Sequence, residues 1–187
     1  MNFKVLSVAA LLIGSVCFSG GSVAEKMVES PKHKENRIEN DLNFLFQEAL
    51  KASALEMDKD HEMAPFSMVK KIDGTLGFFT PSEKNKSKSI DRQIADIRKI
   101  LIDLASTQQI EASVQAMYAT VSDGTGASNQ GLVFEIEHRE GVSLMRFIPV
   151  SKILNDAGEK TGKLLFEMEK LSTGSKPQTV FAASIVQ

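Results

Sequence analysis

Cysteine occurs once in the 187 residues, at Cys17, tryptophan is absent, and Tyr118 is the only tyrosine. One cysteine makes no internal disulfide. If the N-terminal segment that carries it is removed, no thiolate is left as nucleophile or metal ligand. The shortage of tryptophan and tyrosine takes away most of the rings on which sugars stack. Large apolar volume must come from eleven phenylalanines and eight methionines. An excess of one charge is lacking too: 22 basic against 24 acidic residues give a net charge of −2, with no basic block. That balance excludes a nucleic-acid footprint.

Only one long apolar run is present, Val5 to Phe18, and its 14 residues fall short of the roughly 20 needed to span a bilayer. Lys4 supplies a positive start, and Ser22-Val23-Ala24 places small residues where a signal peptidase reads them. Residues 1–24 therefore read as a secretory signal peptide cleaved between Ala24 and Glu25. Val16, branched where a lipoprotein signal has a small residue before cysteine, argues against a lipid anchor on Cys17. Lys4 is the only charged residue of this segment, so its removal leaves 163 residues of net charge −3. Such a chain is expected in the periplasm or outside the cell, without stable membrane insertion. Its length supports one domain burying about 70% of its unfolded surface.

Residues 25–37 are charged, contain Pro31 and show no apolar period, which predicts a flexible leader. The single domain is expected over 38–187. Ile38, Leu42, Leu45 and Ala49 recur at helical spacing, widened by Phe44, Phe46 and Leu50, and this helix is expected to end near Met57. Phe66–Ile72 and Thr75–Thr80 flank Asp73-Gly74, a two-residue hairpin signal. Ile90, Ile94, Ile97, Leu101 and Leu104 form a second helical stripe, capped by Ser87 or Ser89. From Ile110 the period is two, through Thr120, then Leu132–Arg139, Val142–Val150 and Leu164–Leu171. The prediction is an α+β domain with two helices packed on one face of a five- or six-stranded, mainly antiparallel sheet. The other face would be solvated or used for contact.

The span from about Phe44 to Phe181 resembles a family of small bacterial α+β proteins that carry no assigned activity. The resemblance rests on Pro65-Phe66 at the first strand, Asp73-Gly74 at its turn, Glu135-Ile136-Glu137-His138-Arg139 and Phe147-Ile148-Pro149. The order of elements is also similar to profilin-like or roadblock-like sheets. What this implies is a fold and no mechanism.

Three groups of residues invite a chemical reading. Ser67-Met68-Val69-Lys70, Ser122-Asp123-Gly124 and Lys160-Thr161-Gly162 follow the order of the boxes of penicillin-binding proteins. Yet Ser67 and Lys70 lie on a predicted strand, where residues three apart face opposite ways, so no catalytic residue is assigned. Asp58, Asp60, His61 and Glu62 form an acidic cluster with one histidine, a candidate divalent-metal or acid–base group. It lacks the glycine of a calcium loop, and a solvated connection is the reading preferred over a metal site. His138 alternates with Phe134 and Ile136 and is expected on a strand face. The segment Asp123–Gly131 reads as a long hairpin loop, in which Asp123, Thr125, Ser128, Asn129 and Gln130 offer hydrogen bonds to a partner.

No cofactor is expected. The leading expectation is a non-enzymatic exported protein that acts by protein contact, as an inhibitor, an immunity-type protein or an accessory subunit. The alternatives are a carrier holding a small apolar ligand among the methionines and phenylalanines, or an enzyme whose site unites residues distant in sequence. An exposed patch, an enclosed cavity or convergent titratable groups would separate the three.

Overall fold

Ser30 and Pro31 start the first helix. In the computed structural model, which describes residues 30–60, 63–85, 87–122, 126, 128–154 and 160–184, α1 runs from Pro31 to Asp60. The Ser30 hydroxyl accepts the His33 amide at 3.3 Å, and Pro31 sits at the first helical position, where its missing N–H costs nothing. Residues 31–37 are thus helical, not a leader, and the helix extends three residues past Met57. Salt bridges fasten this first part to the sheet: Lys34 to Glu140 at 2.6 Å, and Arg37 to Glu111 and Glu140. The segment 1–24, expected to be a signal peptide, lies outside the described residues.

β1 (Phe66–Lys71) and β2 (Leu76–Phe79) form the first hairpin. The turn holds three residues, Ile72 to Gly74, rather than two: the Lys71 amide donates to Thr75 O, and Gly74 takes φ +83°. That is a tight turn closed by a left-handed residue, a conformation glycine adopts without strain. The Asp73 carboxylate accepts both the Thr75 amide and hydroxyl, which fixes the return strand.

α2 (Ile90–Ser106) follows, then β3 (Ile110–Ser122), β4 (Ser128–His138), β5 (Ser143–Leu154), β6 (Lys160–Phe166), β7 (Ser172–Ser175) and a single turn α3 (Phe181–Ser184). Ser89 stands at the N-cap of α2, but its side chain makes no capping bond; Gln93 reaches back instead, its Nε2 donating to Lys88 O. All strand pairs are antiparallel, in the order β2-β1-β3-β4-β5-β6. β7 pairs with β5 beyond the end of β6, separated from it by the turn Met168–Lys170. β6 and β7 are one interrupted edge, so the seven strands make a sheet six strands wide.

The helices do not share a face. α1 packs through Leu42, Leu45, Phe46 and Ala49 on Phe66, Met68, Val114, Phe134 and Ile136. α2 packs through Ile97, Leu101 and Ala105 on Val69 and Ile110, together with Val180 and Phe181 of the C-terminal segment. Met68 and Val69 are chain neighbours on a strand, so their clusters lie on opposite sides of the sheet. The expected solvated face is covered by α2 and the C-terminal segment, and β3 is buried on both sides from Ala112 to Met117. Ser113 and Gln115, polar residues that alternate with the apolar ones of β3, are buried on the α2 side. Among the described residues no helix is long and apolar enough to cross a membrane.

Leu101, 1% exposed, sits at the middle of the α2 contact. Leu101→Ala is expected to lower unfolding stability by about 2–5 kcal/mol, the range for a buried leucine that leaves a cavity. Urea denaturation followed by circular dichroism measures it, and a loss under about 0.5 kcal/mol would contradict the packing.

Candidate functional site

Titratable side chains enter the interior from β4 in two directions. On the α2 side, the Glu137 carboxylate accepts the Lys176 ammonium at 2.8 Å, the Thr179 hydroxyl at 2.8 Å and the amides of Thr179 and Val180 at 2.9 Å. Lys176 also reaches Glu135, which Arg98 of α2 meets at 2.9 Å. Gln115 donates to Ile94 O, joining the layer to the α2 backbone. Burial alone would push the Glu137 carboxyl up, but Lys176 and the Thr179 and Val180 donors outweigh it and hold the group below its ordinary value of 4.5.

On the α1 side, His138 is completely buried. Its Nδ1 accepts the Glu140 amide at 3.1 Å, which leaves the ring proton of the neutral form on Nε2. Nε2 faces Asp41 Oδ2 at 3.6 Å, too long for a hydrogen bond, and neither atom has another partner among the described residues. Asp41 Oδ1 takes the Lys70 ammonium at 2.6 Å, and Lys70 also meets Glu111. Burial drives the imidazole below its ordinary 6.5, more strongly than the neighbouring Asp41 raises it. An imidazole beside a carboxylate has the makings of a base, but no solute touches this one unless α1 moves.

The third feature is a fork in the sheet. β4 pairs with β5 only as far as Gly131↔Pro149, whereas β3 and β4 stay paired to Ser122↔Ser128 and β5 goes on to pair with β6. The two arms part there and enclose a cleft of about 830 Å³. Ser128, Asn129 and Gln130 line one side, Val150 and Ser151 the other, with Phe147 and Pro149 among the apolar lining. Glu167 and Lys170 also line it and pair with each other. At the crotch only glycine fits: a Cβ on Gly131 would stand 2.2 Å from Ile148 O and 2.7 Å from the Phe147 ring.

These positions sort the sequence candidates. Ser67 is buried and donates to Val114 O, while Lys70 faces Asp41 on the other side of the sheet, so the first penicillin-box pair is split by the strand. Ser128, Asn129 and Gln130 are not in a loop. They form the first residues of β4, paired with Ser122, Val121 and Thr120. Asp123 and Thr125 lie outside the described residues. So do His61 and Glu62, while Asp58 and Asp60 end α1 with their side chains undescribed. Among the described residues no three histidine, cysteine or carboxylate groups gather to hold a metal. The far wall of the cleft and the Glu137 cluster were not read from sequence, because each joins residues some 20 to 50 positions apart. No protein-family model, curated protein or solved structure matches the chain.

Two outcomes follow from this geometry. For His138 and Glu137 alike the folded value lies below the unfolded one, so the unfolded chain binds the proton first as pH falls. Stability is therefore fully present above about 6.5, declines as His138 is driven to protonate, and declines further below about 4.5 with Glu137. Thermal melts across this range should show both losses, and His138→Gln should flatten the upper one; an unchanged pH profile would exclude His138 as its source. Separately, Gly131→Ala should destabilise by about 1–3 kcal/mol through overpacking at the crotch. Chemical denaturation reads it, and no loss would mean β5 yields freely.

Proposed function

We propose that the protein is exported, with cleavage after Ala24, and acts in the periplasm or outside the cell by contact with another protein. Its role would be that of an inhibitor, an immunity-type protein or an accessory subunit. The observation that supports this reading is the fork cleft. Its walls offer hydroxyl and amide groups, from Thr120, Ser128, Asn129, Gln130, Ser151 and Ser172, around the apolar Phe147, Pro149 and Val150. A protein contact needs this mixture of apolar area and a polar rim. The two charges at the cleft neutralise each other, so the groups left to read a partner are uncharged ones. Its base is rigid, set on the paired centre of the sheet, which suits recognition by preformed shape.

Protein recovered from the exported fraction, with an intact mass beginning at Glu25, tests the address. Placing a photo-crosslinking residue at Asn129, exposed at the cleft, tests the contact; a second at Leu55, 69% exposed on α1, serves as control. A discrete protein adduct is expected from position 129 and not from position 55. No adduct at 129, or the same adducts at both, would remove the cleft as the contact surface.

A further inference from the structure

We propose that a second surface, the groove between the first half of α1 and the start of β5, docks a basic amphipathic helix of a partner protein. α1 contacts β1, β3, β4 and, farther along, β6, and leaves a groove beside the start of β5 on this face. The groove left there has a volume of about 320 Å³. Its apolar lining is Ile38 and Leu42 from α1 with Val142, just before β5, and Leu144 of β5. This is room for a leucine or phenylalanine side chain from outside, seated in line with the existing core.

The charge along the rim selects the partner. Glu35 and Glu39, exposed and one helical turn apart, border the groove and form no salt bridge among the described residues. Of the cations on the same helical stretch, Lys34 pairs with Glu140 and Arg37 with Glu111 and Glu140, while Lys32 does not line the groove. Among the described residues Arg146 is the one cation that lines the groove. It donates to Asn43 Oδ1 at 2.8 Å and lies 4.4 Å from the centre of the Phe46 ring, close enough to Glu39 to feel its charge. Two carboxylates against one engaged guanidinium leave the rim negative. A helix lying beside α1 with lysines one turn apart would meet both glutamates while its apolar stripe fills the groove. This surface is distinct from the fork at the other end of β5, and neither test depends on the other.

The probe is a synthetic amphipathic helical peptide of leucine and lysine, with a leucine–glutamate peptide of the same apolar pattern as its counterpart. Both are titrated into the full exported chain while side-chain methyl resonances are followed. The lysine peptide should shift Ile38, Leu42, Val142 and Leu144, and the glutamate peptide should not. The double variant E35K/E39K, altered only at exposed positions, should keep its circular dichroism spectrum and weaken the lysine peptide by about tenfold or more. No binding of the lysine peptide, shifts confined to other residues, equal binding of the glutamate peptide, or undiminished binding to E35K/E39K would each overturn the proposal. A failure here leaves the crosslink at Asn129 to be judged by itself, and a failure there leaves this groove.

Discussion

Glu137 and His138 hold the three layers together because neighbouring residues of a strand face opposite ways. Glu137, 2% exposed, turns toward α2 and gathers the C-terminal segment through Lys176, Thr179 and Val180. A carboxylate taken out of water with no partners would cost several kcal/mol; here a cation, a hydroxyl and main-chain amides offset that cost. His138 turns toward α1, and its main-chain carbonyl accepts Gln178 Nε2 at 2.7 Å. One residue thus touches both the helix and the tail. With Val180 and Phe181 drawn down by Glu137, α2 acquires the apolar neighbours that complete its cluster.

The two faces meet their helices by different means. Under α1 the contact is apolar, with Phe46 set edge-on against Phe134 at 5.2 Å. Under α2 the hydrophobic cluster occupies the β1 side, and toward β4 it gives way to Gln115, Glu135 and Arg98. Directional bonds of this kind fix where the helix sits more than they add to stability, since each replaces a bond to water. The α1 side has its own polar element at the strand ends, where Asp41 and His138 leave two buried atoms unbonded. It is there that acid is expected to act first, because a proton added to His138 places a new charge among groups that already balance.

The elements and their order were legible because they rest on local patterns: the apolar stripe of α2, the glycine at the β1–β2 turn, the alternation along β3, β4 and β5. What escaped was anything decided at a distance. Ser30-Pro31 is a helix start visible in two residues, but the charged stretch behind it looked structureless, since its cations are paired with Glu111 and Glu140 far along the chain. One sheet face was expected to be wet because alternation reports polarity, not burial, and the hydrogen-bonded polar layer of Ser113 and Gln115 has the same pattern as a solvated one. Ser128, Asn129 and Gln130 read as loop by composition, yet pairing with β3 makes them strand. Their place at an open cleft came from a divergence of strands that no single stretch encodes.

Pro149 helps to explain why the sheet opens where it does. Its carbonyl accepts the Glu167 amide at 3.0 Å, but proline has no N–H to return, so the edge strand is held at this point by one bond. Immediately afterwards the chain leaves the sheet in the turn Met168–Lys170 before rejoining β5 as β7. On the opposite edge of β5, pairing with β4 also ends at Pro149, where Gly131 allows the closest approach of the two backbones. A tight crotch with a weakened edge lets β5 leave one sheet direction for another, carrying β6 with it. The same strand therefore borders the fork at one end and the α1 groove at the other.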